Sequence, residues 1–192
     1  MNRVAKFEKI SFEQFYKDWM ETYPEWDWSV EVGINTKESI KEEIRRIYNK
    51  IQLPQRSTSG SAGYDFFTPV HILIPYMERM IIPTGLRCKI EEGWFLDINP
   101  RSGHGFKYGI QLANTRGIID SDYYNSDNEG HIMIQLVNQS PVLRNDFYCV
   151  EEGKAYAQGI FTIYGITEDD NVNVKRNGGI GSTDRREKNE NR

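Results

Sequence analysis

Two stretches near the N-terminus carry apolar side chains at helical spacing. Ser11 begins a capping-box pattern, S-x-x-Q, which predicts a helix over about 12–22 with an aromatic face. Asn35 begins a similar pattern, N-x-x-E, and isoleucines then form an apolar stripe over a second predicted helix at about 37–51. Both stripes predict packing against the main domain or a neighbouring subunit. A dedicated partner-binding role is the alternative.

From Leu53 onward the pattern changes to short apolar segments separated by Gly, Pro, Asn and Asp. The segments recur about every ten residues and are rich in β-branched and aromatic residues, which predicts an all-β sandwich or jelly roll. The predicted strands are 70–74, 80–82, 86–90, 94–98, 109–112, 131–137 and 156–164. The stretch 146–152 is predicted to be a polar connection.

The same patterning divides the chain into three predicted parts. Residues 1–50 form an N-terminal helical extension, residues 51–168 a β domain, and residues 169–192 a flexible C-terminal arm. The arm is polar and glycine-rich, so it has too little apolar surface to fold alone. It is predicted to close over an active site.

Charge and apolar run lengths narrow the choice of partners. The formal net charge is −4, so no nucleic-acid partner is expected and a substrate phosphate would need a local cluster of donors. No apolar run approaches a membrane span, and the N-terminus lacks a signal-peptide pattern. We therefore expect no membrane association and a cytoplasmic location.

The cysteines and histidines show no metal-ligand spacing. Cys88 and Cys149 are interpreted as reduced thiols in or near the core. His71, His104 and His131 are interpreted as surface or strand residues and not as metal ligands.

The residues that can perform chemistry are concentrated in two segments. Residues 114–123, N-T-R-G-I-I-D-S-D-Y, place Asp120 and Asp122 beside Tyr123 and so offer a base and a flat ring surface. Residues 100–103, P-R-S-G, offer a guanidinium, a hydroxyl and a glycine backbone that a phosphate can approach closely. Together these segments indicate a nucleotide substrate and a hydrolytic reaction.

Five short motifs stand in order along the chain. They are A-G-Y-D at 62–65, P-R-S-G at 100–103, N-T-R-G-I-I-D-S-D-Y at 114–123, A-Q-G-I at 157–160 and G-G-I-G-S-T at 178–183. This set resembles the motifs of the trimeric dUTP diphosphatases (dUTPases), over about 53–183. The resemblance implies a jelly-roll subunit of the β-clip type and a homotrimer with active sites at its subunit interfaces. It also implies magnesium and the hydrolysis of dUTP to dUMP and pyrophosphate.

The resemblance also implies a role for each matched residue. Asp120 would be the general base that activates water for attack on the α-phosphorus. Tyr123 would pack against the deoxyribose and exclude a 2′-hydroxyl, and Asp65 would contact magnesium through water. The hairpin that reads uracil would comprise Asn114, Gly117, Ile118, Ile119 and Met133. The phosphate chain would be held by Arg101, Ser102, Gly103 and Gln158. The closing arm, from a third subunit, would contribute Lys175, Arg176, Ile180, Gly181, Ser182 and Thr183.

The chain departs from the family pattern at several places. A longer polar loop, 124–129, replaces the short turn that usually follows the tyrosine. Ile180 stands where an aromatic residue often stacks on uracil, and either Lys175 or Arg176 could reach the γ-phosphate. Residues 1–50 lie outside the resemblance.

Two other functions are compatible with these patterns. A dCTP deaminase-related enzyme would need an acid–base residue aimed at the base ring, for which the sequence offers no clear candidate. A nucleotide-sensing regulatory protein would use the same site, with the helical extension or the 124–129 loop contacting a protein partner. The presence of Asp120 indicates that catalysis persists even if the protein has such a regulatory role.

Overall fold

The computed structural model describes residues 2–24, 36–143, 146–174, 176 and 178. The helices in this part of the chain are α1 (Phe12–Thr22), α2 (Lys37–Lys50) and α3 (Ser102–Tyr108). The strands are β1 (Ala5–Lys9), β2 (Tyr64–Phe67), β3 (Ile72–Pro75), β4 (Arg79–Pro83), β5 (Leu86–Ile90), β6 (Trp94–Pro100), β7 (Gln111–Leu112), β8 (Gly117–Ile119), β9 (Met133–Val137), β10 (Phe147–Val150) and β11 (Ala155–Ile163). Short 3-10 helices lie at Ser121–Asn125 and Pro141–Leu143.

All strand pairs in the described residues are antiparallel, as expected for a jelly roll. The largest sheet has the order β2-β11-β6-β8, and a second sheet has the order β4-β9-β7. Two further pairs, β1 with β5 and β3 with β10, complete the strand framework. The predicted all-β fold with an added helical segment is confirmed.

The prediction of a polar connection at 146–152 was wrong. Phe147–Val150 is a strand that pairs with β3, with Tyr148 opposite Ile74. Its buried and exposed side chains alternate, so the strand faces the core on one side and solvent on the other. Strands β1, β2 and β8 were not among the strands predicted from the sequence.

The two N-terminal helices form because both have local capping signals. The Ser11 side chain accepts a hydrogen bond from the Gln14 backbone N–H at 3.1 Å, so α1 begins where the sequence predicts. For α2 the capping residue is Thr36, which accepts from the Ser39 backbone N–H at 3.1 Å. The predicted cap, Asn35, lies outside the described residues.

The helices share one hydrophobic core with the β-sheets. Phe15, Trp19 and Ile44 are at most 2 % exposed and belong to the same cluster as Ile82 and Leu96. Burying a large apolar side chain contributes about 1.5–3 kcal/mol. The stripes on α1 and α2 therefore pack against the β domain, one of the two predicted arrangements.

The cysteines have contrasting environments, and both are unpaired. Cys88 is buried as expected, and its burial raises the pKa of the thiol to about 12. Cys149 is exposed, contrary to its interpretation as a core or near-core thiol, because it lies on the solvent side of β10.

No helix of the described residues combines the length and the apolar character that crossing a bilayer requires.

Candidate active site

Three strands bring the expected phosphate-binding residues together. Gln158 of β11 lies opposite Asp65 of β2, and its Nε2 donates to the backbone oxygen of Pro100 at the end of β6, at 3.2 Å. Arg101 follows directly, and its Nε lies 3.1 Å from Asp65 Oδ1. Ser102 and Gly103, both exposed, begin α3 beside them. We call Asp65, Arg101, Ser102, Gly103 and Gln158 the phosphate cluster.

A glycine leaves room for one side chain of this cluster. A Cβ atom at Gly63 would lie 2.6 Å from Gln158 Oε1, so the end of that flexible side chain would have to shift. The contact favours glycine at this position of the A-G-Y-D motif.

The cluster offers a single carboxylate for a metal ion. No group of three or more His, Cys, Asp or Glu side chains in the described residues could hold a metal. Both oxygens of Asp65 are occupied, one by Arg101 at 3.1 Å and the other by the Ser57 hydroxyl, which donates at 2.8 Å. This donor set fits a magnesium ion that keeps its waters and rests on substrate phosphates, and it does not fit a protein cage.

His104 lies close to the cluster, and the sequence analysis missed this placement. It is on α3, half-buried, and its Nδ1 is hydrogen-bonded to the Tyr148 hydroxyl. Burial and then the charge of Arg101 lower the pKa of His104. The signal in the sequence was its position directly after the P-R-S-G motif at 100–103.

The expected uracil hairpin is anchored on the middle of β6. Gly117 lies opposite Ile98 there, and a Cβ at Gly117 would be 3.0 Å from the Ile98 Cβ, so the close pairing favours glycine. Arg116 holds the hairpin with two hydrogen bonds to Asp97, both at 2.8 Å. Along this hairpin Asn114 and Ile118 are exposed, whereas Gly117, Ile119 and Met133 are partly buried.

Asp120 lies at the end of this hairpin strand, and its carboxylate does not cap the helical turn that follows. It occupies the N-cap position of the 3-10 helix Ser121–Asn125, yet its side chain makes no capping hydrogen bond. The side chain is 53 % exposed, and Arg176 Nη1 lies 2.7 Å from its Oδ2. The same guanidinium nitrogen is 3.5 Å from Asp122 Oδ1.

Tyr123 follows Asp120 closely but is largely buried, at 4 % exposed. Its hydroxyl donates to the backbone oxygen of His131 at 2.8 Å and accepts from Asn128 Nδ2 at 2.9 Å. Burial raises the pKa of this hydroxyl. The Arg176 guanidinium covers the ring at 5.0 Å from its centre, so a sugar could reach the ring only after Arg176 moves.

His131 is not a surface residue, which was one of its two predicted placements. It is fully buried two positions before β9 begins, and its Nδ1 lies 2.6 Å from Asp18 Oδ2 of α1. Sequence reasoning missed Asp18 altogether, since nothing in its local pattern indicates a partner 113 positions away.

The arm residues are described only in part. Arg176 lies against Asp120 and Tyr123 of its own chain, and not beside the phosphate cluster. The predicted arm contacts at Lys175, Ile180, Gly181, Ser182 and Thr183 lie outside the described residues.

The phosphate cluster and Asp120 lie at opposite ends of β6. Arg101 directly follows its last residue, whereas Asp120 extends beyond Ile119, which pairs with Leu96 near the start of β6. Roughly six residues of strand separate the two positions, which corresponds to about 20 Å. Within one chain, Asp120 and the phosphate cluster are therefore not brought together.

Comparisons with known proteins agree with this arrangement of motifs. A family model described as dUTPase matches residues 49–185. The deoxyuridine 5′-triphosphate nucleotidohydrolase of Lactococcus lactis subsp. lactis is 38 % identical over 136 residues, covering 69 % of this chain and 88 % of that protein. The crystal structure of the dUTPase from Streptococcus mutans is 31 % identical with a TM-score of 0.54, covering 62 % of this chain and 91 % of that one.

A more distant structure shares the fold. A mutant dUTPase from phage phi11 of S. aureus, described as coordinating a structural Mg(II) ion, has a TM-score of 0.53 at 20 % identity and covers 68 % of this chain and 95 % of that one. The family match contains all of the phosphate cluster, the hairpin and Asp120, but it excludes α1 and nearly all of α2. This chain belongs to the dUTPase family.

Proposed function

We propose that this protein hydrolyses dUTP to dUMP and pyrophosphate, with Asp120 as the general base. The observation that carries the proposal is the placement of an uncapped, accessible carboxylate at the end of the hairpin strand, three residues before Tyr123. That carboxylate can accept a proton from a water molecule within hydrogen-bond reach.

The reaction follows from that placement. Asp120 takes a proton from water as the water oxygen bonds to the α-phosphorus. The bond from the α-phosphorus to the oxygen bridging it to the β-phosphorus breaks, and pyrophosphate leaves. Arg176, now 2.7 Å from Asp120, would have to leave the carboxylate before water could bind.

The phosphate cluster provides the donors for the triphosphate. Arg101 is 39 % exposed on its side chain, so its remaining guanidinium donors can face phosphate oxygens while Asp65 orients it. Ser102, Gly103 and Gln158 add a hydroxyl, an approachable backbone and an amide. Magnesium held on the phosphates, with Asp65 contacting it through water, would neutralise charge that develops on the leaving pyrophosphate.

The hairpin provides the base and sugar contacts. The backbone of Asn114, Ile118, Ile119 and Met133 would read uracil, and Tyr123 would pack on the deoxyribose. Ile180 would cover the base without a π face. These roles, like the closure of the arm over the phosphates, stay predictions.

The distance along β6 supports a site shared between subunits, and the resemblance to the trimeric dUTPases makes a homotrimer the expected assembly. Because the base and the phosphate cluster of one chain are about 20 Å apart, a site needs the hairpin of one subunit and the phosphate cluster of another. A closed cyclic assembly repeats this interface with each neighbour. The cytoplasmic location and a regulatory protein partner also stay predictions.

Substrate turnover tests the proposal directly. The purified protein with magnesium is supplied with dUTP, dCTP, dTTP or UTP, and pyrophosphate and ammonia are both measured. We expect pyrophosphate from dUTP and no ammonia. Release of ammonia from dCTP would favour the deaminase-related function, and tight dUTP binding without turnover would favour the nucleotide-sensing function.

A further inference from the structure

The N-terminal extension is hydrogen-bonded to the loop at residues 124–131, which lengthens the hairpin and which we call the hairpin insert. These hydrogen bonds join Asp18 to His131, Ser11 to Glu129, and Glu8 to Tyr124. The extension residues in these contacts all precede residue 49, where the family match begins. The contacts are therefore additional to the matched dUTPase region.

His131 is fixed by two hydrogen bonds of defined direction. The Gly85 backbone N–H donates to Nε2 at 2.8 Å, so Nε2 acts as an acceptor. The proton of the ring is then on Nδ1, which donates to Asp18 Oδ2 at 2.6 Å. Asp18 thereby sets both the tautomer and the rotation of a fully buried ring.

The backbone of His131 in turn holds Tyr123. The Tyr123 hydroxyl donates its proton to the His131 backbone oxygen at 2.8 Å, and Asn128 Nδ2 donates to the hydroxyl at 2.9 Å. A shift of the His131 backbone would therefore carry the Tyr123 ring with it.

The second contact restrains an unfavourable backbone conformation. Glu129 has a φ of 57°, in the left-handed region that non-glycine residues seldom occupy. Its carboxylate accepts from the Ser11 backbone N–H at 2.7 Å and from the Ser11 hydroxyl at 2.6 Å. The next residue, Gly130, packs so closely that a Cβ there would lie 2.7 Å from the Tyr123 backbone oxygen. A movement of the Glu129 backbone would therefore be transmitted to Tyr123 through the tightly packed Gly130.

We propose that the N-terminal extension is a positioning element for the nucleoside site. Asp18 and Ser11 act as positioning residues, which place the ring of Tyr123 through His131 and Glu129. The proposal rests on the proposed function, in which that ring excludes a 2′-hydroxyl. Its consequence is that discrimination between dUTP and UTP depends on residues outside the matched family region.

Two variants test the two contacts separately. Asp18→Asn keeps the size of the side chain but weakens the acceptor that faces His131. Glu129→Gly removes both acceptors for Ser11, while glycine adopts the same positive φ without strain, so the loop backbone is retained. For each variant, kcat and KM are measured with dUTP and with UTP, together with Tm. We expect the dUTP-to-UTP ratio of kcat/KM to fall by about tenfold or more, with KM for dUTP raised, as small displacements from a productive geometry have large kinetic effects.

A matched control separates positioning from stability. Tyr48→Phe removes the hydrogen bond from the Tyr48 hydroxyl to the Ile10 backbone oxygen, 2.6 Å long and contained within the extension. This variant should lower Tm and leave the dUTP-to-UTP ratio of kcat/KM unchanged. If Asp18→Asn and Glu129→Gly behave like this control, with lower Tm but unchanged ratio and KM, the positioning role is overturned.

Binding of non-hydrolysable analogues of dUTP and UTP gives a readout that is independent of turnover. Wild-type protein that prefers the dUTP analogue but does not turn over dUTP would contradict only the proposed function. Loss of this preference in the two variants would still support the positioning role. A wild-type protein that binds both analogues equally would overturn it.

Discussion

The carboxylate of Asp120, the proposed general base, differs from most side chains at the start of a helical turn. Asp and Asn at such positions usually accept a hydrogen bond from the turn, but the Asp120 side chain makes no such bond. Its carboxylate therefore remains available to water or to a cation, and in this structure it contacts Arg176.

Asp120→Asn should retain nucleotide binding and lose most dUTP turnover. The amide has the same shape but cannot take the proton, and loss of a general base typically costs about 10²–10⁴-fold in rate. Steady-state kinetics and analogue binding measure the two effects. Asp122→Asn is the matched control, because Asp122 is similarly exposed and also faces Arg176. Turnover of the Asp120 variant within a few-fold of wild type would show that the base is elsewhere.

The spatial neighbours of some residues in the candidate site could be predicted from the sequence, and those of others could not. Asp65, Arg101 and Gln158 lie together as their motifs predict, because short strands bring those motifs to one edge. The buried partner of His131 could not be predicted, since the contact with Asp18 depends on how α1 packs on the folded β domain.

Elements with local signals were predicted well, and elements that depend on a distant partner were not. The start of α1 coincides with its capping Ser11, which acts within one turn. Strand β10 was missed because the residues around it are polar and only two of its four side chains are buried. It is a strand because it pairs with β3, which the local sequence does not indicate. Likewise β1 lies before the first helix and is a strand through pairing with β5.

Helix α1 should contribute to global stability and not only to the site. Trp19 is 2 % exposed within the shared core, so Trp19→Ala should lower the free energy of unfolding by about 3–5 kcal/mol. Urea denaturation measures the change. Lys17→Ala on the exposed face of the same helix should change it by less than about 0.5 kcal/mol. Equal effects of the two substitutions would mean that α1 is not packed as described.

The hydrogen-bonded carboxylate of Glu8 on β1 should make stability depend on pH. Hydrogen bonds from Lys6 and then Tyr124 lower the pKa of Glu8 from its usual value to about 2. Because the folded pKa is the lower one, this stabilisation is present above about pH 4.5 and is lost as pH falls towards 2. The difference in free energy of unfolding between wild type and Glu8→Gln, measured by urea titration, should therefore decrease as the pH falls from about 4.5 towards 2.

A matched variant tests the assignment of that pH dependence. Glu21→Gln alters a carboxylate whose ion-pair partner is Lys17, 4.0 Å away on the exposed surface. Its gap from wild type should stay nearly constant over the same window. If the Glu8→Gln gap is equally constant, Glu8 is not held by the contacts described.

At the scale of the whole molecule, the length of β6 supports the proposal that each site is shared between subunits. The phosphate cluster and Asp120 flank this strand at its two ends, about 20 Å apart. A subunit that lacks Asp120 and a subunit that lacks a residue of the phosphate cluster should therefore form an active site together.

Mixing Asp120→Asn with Arg101→Ala should restore activity after the subunits are allowed to exchange. Each variant alone lacks one component in every site, whereas a random equal mixture places both wild-type residues in roughly a quarter of shared sites. Activity and mass are measured before and after exchange. A mixture that stays as inactive as its components, despite proven exchange, would contradict a site shared between subunits.

The contacts between the extension and the hairpin insert also constrain how such a gene can change. A genetic crossover near the codon for Lys50 would join a new N-terminus to an insert that has lost Ser11 and Asp18, leaving Glu129 and His131 without their partners. Such recombinants would encode a complete dUTPase motif set and still misplace the tyrosine. The two segments should therefore be inherited as a pair, and transplanting one into a relative should succeed only when the other accompanies it.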